Sequence, residues 1–213
     1  MRAIELDARL AETLALRLGE PAGLEVWHAD ALHDDLAELT RDGPWQVVGN
    51  LPYAVATPII RRLLRRGPAI PRIVVMVQRE VAERFLAPPG SAQRGLVSVE
   101  RELYASAQRL IEVPPAAFAP PPMVVSTVIL LEPHHPPAPP VVLETALRLA
   151  AAAFTQRRKK LHNSLAGVAP PSELHRALAA ANCDATRRPQ EVETSAWLRL
   201  AQALGGPGEG EEA

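Results

Sequence analysis

The chain places Asn50-Leu51-Pro52-Tyr53 directly after the apolar run Trp45-Gln46-Val47-Val48-Gly49. These residue types suit chemistry on an exocyclic amine, whose lone pair is delocalised into its ring and attacks poorly. An Asn side-chain oxygen and a neighbouring backbone carbonyl each accept a hydrogen bond from an NH₂ group. That biases the nitrogen toward a tetrahedral shape and aims its lone pair at an electrophilic methyl group. Pro52 fixes φ and removes a donor, which stiffens the turn, while Tyr53 offers an aromatic face to an unstacked base. Asn and Pro are also ordinary turn residues, so the tetrad alone is equally compatible with a plain strand-to-helix turn.

The elements that must position this tetrad follow from local pattern. The run 45–49 is short and β-branched and reads as a buried strand. Thr57 is expected as the N-cap and Pro58 as the first residue of an amphipathic helix through Ile59, Ile60, Leu63 and Leu64, stopping at Gly67-Pro68. In open α/β sheets ligands sit at the carboxyl ends of strands, where the tetrad would lie. Two acids are expected at the same level. Ala3-Ile4-Glu5-Leu6-Asp7 reads as a strand ending in an acid, and Asp7 as the N-cap of a helix over 8–18. Leu24-Glu25-Val26-Trp27-His28-Ala29-Asp30 reads as the next strand. Acids at such strand ends are more often helix N-caps, but they also take ribose hydroxyls in Rossmann-like sheets, and Asp30 is a candidate acceptor for the amino group of a nucleoside cofactor.

With these pieces in order, the chain resembles the small-subunit ribosomal RNA adenine dimethyltransferases, which use S-adenosylmethionine. The likeness runs from Ala3 to about Leu204. It rests on residues 3–7, Asp30-Ala31-Leu32, the 50–53 tetrad, and the run Val77 to Arg84. Val113-Pro114-Pro115, Phe118, Pro120-Pro121-Pro122 and Ser126 follow, then Ala153 to Leu161 and Asn163-Ser164-Leu165. The resemblance implies an α/β fold, a Rossmann-like S-adenosylmethionine-dependent methyltransferase sheet followed by a small α-helical C-terminal domain. It implies dimethylation of N6 of adjacent adenines in small-subunit ribosomal RNA, a role in ribosome biogenesis, and the immature small ribosomal subunit as partner. Carried onto matching positions, Glu5 is the ribose ligand, Asp30 the adenine ligand of the cofactor, and Asn50 the residue that holds the target amine beside the cofactor. Tyr53 and Phe118 are the two faces of a sandwich for the target base, with Leu51 and Pro52 on the substrate side.

The chain departs from that family at its start. The resemblance calls for a strand and a Gly-rich turn before the strand ending in Glu5, the strand lying between it and the strand ending in Asn50. None of the 12 glycines forms a G-x-G-x-x-G pattern after an apolar strand. The expectation is that Met1 lies inside a longer reading frame, with a genuine truncation as the competing expectation. The chain as written is expected to bind S-adenosylmethionine weakly. Arg94, where the family often has an aromatic residue, and Met123, where Lys is usual, are expected to weaken substrate contacts.

Composition agrees with a globular enzyme: 47% hydrophobic and 22% charged over 213 residues. The single Cys183 suits a reducing cytosol, and no run of 18 apolar residues offers a membrane span. A cytoplasmic monomer without a metal site is expected, since the six histidines show no ligand spacing. Charge is uneven. Residues 1–133 hold 14 Lys+Arg against 16 Asp+Glu, a net −2, whereas residues 134–213 hold 9 against 8, a net +1. The basic run Arg157-Arg158-Lys159-Lys160 is a candidate phosphate contact, with a solvated helix face as the plain alternative. Arg61, Arg62, Arg65 and Arg66 are read as an outer helix face under the same alternative. Proline punctuates the fold: a stiff loop around Phe118 precedes a strand over 124–131, and residues 134–140 form a semi-rigid linker. Beyond it Leu143, Leu147, Ala150 and Phe154 recur at helical spacing, as do Leu174, Leu178 and Ala181, and Trp197, Ala201 and Leu204. The expected division is a methyltransferase domain over 1–133, a helical domain over 141–204 and a disordered tail over 205–213. Two other functions fit the same residues: a non-catalytic ribosomal RNA-binding assembly factor, and a large-subunit adenine methyltransferase conferring antibiotic resistance. Leu51 and the run Gln156 to Lys159 favour the small-subunit group.

Overall fold

In the computed structural model, which describes residues 1–205, the chain runs β1 (Arg2–Glu5), α1 (Ala8–Arg17), β2 (Glu25–His28), α2 (Leu36–Leu39), β3 (Gln46–Asn50), α3 (Ala56–Leu64), β4 (Arg72–Gln78), α4 (Arg79–Leu86), α5 (Leu96–Tyr104), β5 (Ala105–Val113), β6 (Ser126–Pro133), α6 (Pro140–Thr155), α7 (Leu161–Ser164), α8 (Pro171–Ala180) and α9 (Thr194–Gly205). Gly205, expected in the tail, is instead the last residue of α9, and the rest of that expectation, residues 206–213, lies outside the described residues. The linker is also shorter than expected, because Pro140 already occupies the first turn of α6.

Local chemistry sets the first boundaries. Asp7 caps α1: its Oδ1 accepts from the backbone N–H of Arg9 at 2.9 Å and of Leu10 at 3.2 Å. The expected start of α3 needs correction. Val55 is its N-cap, with no side-chain cap, so Thr57 and Pro58 are the second and third helical residues. Proline is tolerated there because N–H groups of the first turn have no intrahelical acceptor.

The strands form two sheets. β1 and β2 pair in parallel, and a second sheet has the order β3-β4-β6-β5, with β3 parallel to β4 and β6 antiparallel to both β4 and β5. β1 and β3 share no ladder. The expectation of a buried strand is corrected: burial in β3 alternates, with Val47 and Gly49 half-buried on one face and Gln46, Val48 and Asn50 exposed on the other, Val48 at 82%, and among the described residues β3 pairs with β4 alone. On β4 the alternation is strict: Ile73, Val75 and Val77 are buried and pack with Ile59, Ile60, Leu63 and Leu64 of α3 and with Phe85 of α4.

A second core lies among α6, α8 and α9, around Trp197, Leu149, Leu178 and Leu200. Val99 and Leu103 of α5 belong to it as well, so the two cores meet at that helix. Arg94 pins the junction. It is fully buried, and its Nη1 and Nη2 donate to the Glu102 carboxylate oxygens at 2.9 Å each, with further bonds to the Val192 carbonyl and the Thr194 hydroxyl. Its planar fork suits this bidentate task. Arg94 is thus an internal tie, not a weakened substrate contact, whereas Met123 is fully exposed.

Candidate active site

Parallel pairing brings the sequence-derived residues to corresponding ends of strands. Glu5 is the last residue of β1 and Asn50 the last of β3, while β2 stops at His28 and leaves Asp30 two residues into the following turn. β6 runs antiparallel to β4, with Ser126 opposite Gln78, so the loop 114–125 carrying Phe118 arrives at the carboxyl end of β4. The tetrad reaches the same end, because Asn50 is paired with Met76 and the Leu51 N–H donates to the Met76 carbonyl at 3.4 Å. Gly49 allows this turn: a Cβ there would meet the Leu51 side chain at 3.1 Å.

Asn50 is exposed, and its side-chain amide makes no hydrogen bond with the described residues. Tyr53 is half-buried, and its hydroxyl shares a 2.9 Å hydrogen bond with Ser126 Oγ, which is itself buried. That bond fixes the hydroxyl edge of the ring. Phe118 is half-buried at the end of a 3₁₀ turn over Pro115–Ala117, its N–H donating to the Pro115 carbonyl at 3.1 Å. An open cavity of about 240 Å³ adjoins this end of the sheet, lined by Gln78, Arg79, Glu80, Glu83, Val124 and Val125.

The acids are held by their own turns. Glu5 accepts from the Asp7 N–H at 2.9 Å. Asp30 Oδ1 accepts from the Leu32 N–H at 2.7 Å, and Oδ2 accepts from His33 Nδ1 at 2.8 Å. The His33 bond first, then the Leu32 N–H, hold the Asp30 carboxyl below its ordinary range, so it is an ionised acceptor at neutral pH. Each of its oxygens keeps a second lone pair for an amine donor. Glu5 and Asp30 therefore fit the nucleoside end of S-adenosylmethionine, two acceptors for a ribose and an adenine amino group. The described residues offer no Gly-rich turn for the other end.

The basic run lies elsewhere, between α6 and α7. Arg157, Arg158, Lys159 and Lys160 are all exposed, although Arg157 Nη2 also donates to the Ala92 carbonyl at 2.6 Å. The fold adds neighbours that the sequence does not place. The Leu161 N–H donates to the Arg187 carbonyl at 2.7 Å, which sets the exposed Arg187 and Arg188 beside Lys160. The α3 arginines behave otherwise. Arg61 and Arg65 grip the buried Glu100 carboxylate on α5, the latter at 2.7 Å, and Arg62 bonds two carbonyls of the turn after Asp30. Arg61 and Arg62 are thus half-buried ties, whereas Arg65 grips Glu100 while remaining exposed to solvent. The partners of Ser126, a mark of the resemblance, of His33, and of Arg62, expected on an outer helix face, were not legible in the sequence, because each acts on a different element or through turn geometry.

The ribosomal RNA small subunit methyltransferase A of Kineococcus radiotolerans is 40% identical over 93% of this chain and 67% of its own length. The protein of that name from Desulfitobacterium hafniense is 37% identical over 95% of this chain and 73% of its own length. The one from Pseudomonas aeruginosa is 38% identical over 94% and 74%. Among solved structures, a dimethyladenosine transferase from Plasmodium falciparum superposes with a TM-score of 0.75 at 21% identity, covering 93% of this chain and 79% of that one. The 23S rRNA methyltransferase ErmE superposes with a TM-score of 0.69 at 24% identity, covering 95% and 81%, and both likenesses show the fold. A family model described as ribosomal RNA adenine dimethylase matches residues 1–204, and the chain belongs to that family.

Proposed function

We propose that this chain transfers two methyl groups to N6 of each of two adjacent adenines in small-subunit ribosomal RNA, taking them from S-adenosylmethionine, with the immature small ribosomal subunit as its partner. It would act as a cytoplasmic monomer. The observation that carries the reading is the uncommitted Asn50 amide at the carboxyl end of a parallel strand, beside a Tyr53 ring held by Ser126.

S-adenosylmethionine, when bound, supplies an electrophilic methyl group. Glu5 would accept from its ribose and the ionised Asp30 from its adenine amino group. Asn50 Oδ1 would accept one hydrogen of the target amine, freeing the nitrogen lone pair from conjugation with the ring. Tyr53 and Phe118 would stack on the two faces of the unstacked base, with Leu51 and Pro52 shaping the turn beneath it. Residues 1–133 form the catalytic unit in this reading. The helical region over 141–204 presents Arg157, Arg158, Lys159 and Lys160, joined by Arg187 and Arg188, to phosphates, each neutralised phosphate adding salt-dependent affinity.

The test is transfer of a labelled methyl group to unmethylated small subunits. Asn50→Ala is expected to abolish transfer while subunit binding stays within about twofold, since phosphate contacts dominate affinity. Transfer near the unsubstituted rate would remove Asn50 from the mechanism. If the unsubstituted chain bound subunits without transferring methyl groups, the non-catalytic assembly reading would replace this one.

A further inference from the structure

Arg62 sits on α3, the helix that follows the Asn50 turn, and its guanidinium crosses to the turn that follows β2. Nη1 donates to the Ala31 carbonyl at 2.8 Å and Nη2 to the Asp34 carbonyl at 2.6 Å. These two carbonyls bracket the segment that orients Asp30. Within it, the Asp30 carboxylate accepts from the Leu32 N–H, and the Asp30 N–H donates to Asp34 Oδ2 at 2.7 Å. The His33 and Asp34 N–H groups close the turn on the Asp30 carbonyl at 3.2 and 2.9 Å. The carboxylate is thereby rigid relative to its turn, and Arg62 ties the turn to α3.

That tie matters because of the sheet topology. β2 pairs with β1 and β3 with β4, and among the described residues no ladder joins β2 to β3, so direct pairing of these two strands does not set the distance from Asp30 to Asn50. Arg2 stacks over the Trp27 ring at 3.9 Å and the Trp45 ring at 4.9 Å, which links the two-stranded sheet to the segment leading into β3. Near the site, Ala31 and Leu32 touch the sheet core, and Arg62 supplies directional bonds. Arginine suits the task, since a planar fork reaches two carbonyls at once and lysine is a point charge that reaches one. We infer that Arg62 is a positioning residue that holds the nucleoside-binding acid Asp30 in register with the amine-holding Asn50; this rests on the proposed role of Asp30.

Binding of 5′-methylthioadenosine, which carries the nucleoside end alone, tests it by calorimetry on the full chain. Arg62→Ala is expected to weaken binding on the order of tenfold, with Arg62→Lys intermediate, and to leave small-subunit affinity unchanged. Because Arg62 acts through Asp30, the double variant with Asp30→Asn should bind no more weakly than Asp30→Asn alone. Amide exchange at Leu32 and Asp30 should quicken by a similar factor in Arg62→Ala, while amides of α9 keep their rates. If Asp30→Asn loses the nucleoside and Arg62→Ala does not, the inference fails and the Asp30 reading stands. If neither substitution alters binding, the Asp30 reading fails and the inference with it. If the unsubstituted chain holds no nucleoside, exchange at Leu32 decides, and an unchanged rate in Arg62→Ala overturns the proposal. Should Arg62→Ala not fold, the same comparisons are made with Arg62→Lys.

Discussion

The unit β1–α1–β2 and the helical core of α6, α8 and α9 start from similar material and end at opposite extremes of burial. α1 has a sound N-cap in Asp7 and places Leu10, Ala11, Leu14 and Ala15 along one side, yet none of its residues is buried. α9 places Ala196, Trp197, Leu200 and Ala201 along one side, and all four are buried, Trp197 completely. Helical spacing decides which side chains share a face; a second packed element decides whether that face leaves water. α9 lies against both α6 and α8, whereas α1 rests on a two-stranded sheet, and a pair of strands is marginal as a support. The candidate site draws from both kinds of region: Glu5 and Asp30 from the loosely packed unit, Asn50 and Tyr53 from an edge of the well-packed sheet.

Substitutions in the two regions should separate widely. Trp197→Ala is expected to lower global stability by about 3–5 kcal/mol in denaturant unfolding, since it opens a large cavity in the helical core. A loss below about 1 kcal/mol would break the comparison. Arg94→Ala is expected to cost about 3 kcal/mol, because it leaves the Glu102 carboxylate largely enclosed without its bidentate partner. Arg94→Met, which fills the space, should cost less.

The same junction should be acid-sensitive. Burial pushes the Glu102 carboxyl up, but bonds from Arg94 and Thr194 and the charges of Arg94 and Arg101 outweigh it and hold the group below its ordinary 4.5. A carboxyl depressed in the folded state contributes stability above its unfolded pKa and loses it as pH falls through the folded value. Stability should therefore decline below about pH 4.5, and Arg94→Met should flatten that part of the profile.

Smaller effects belong to the other region. Asp7→Ala removes the cap of α1 and should cost about 1 kcal/mol, read as faster exchange of the Arg9 and Leu10 amides with little change in the main melt. Leu10→Ala, at a position already 41% exposed, should change stability by no more than about 0.5 kcal/mol. A fully cooperative loss of global stability from either would show that the unit is more tightly integrated than its burial implies.

What the sequence by itself determined are features decided within a few residues: the stiff turn at 50–53, the Asp7 cap, the helical stripes that became α6, α8 and α9, and the strand-ending acid Glu5. Each depends on propensity, capping or periodicity along one element, which neighbouring residues carry. Glycine punctuation and a β-branched run were also legible, but the run at 45–49 read as buried, since composition does not reveal which face of a strand another element covers. Only the tertiary structure decided that one face of β3 is exposed and that Ser126 anchors Tyr53 from 73 positions away. It also decided that Arg94 turns inward to Glu102 and Thr194, the latter 100 positions on, and that Arg62 reaches back 28 and 31 positions to the Asp30 turn. An exposed-looking arginine and a buried ion pair have the same local sequence. What separates them is which distant carbonyl or carboxylate the chain brings within about 3.5 Å, beyond which a hydrogen bond is lost.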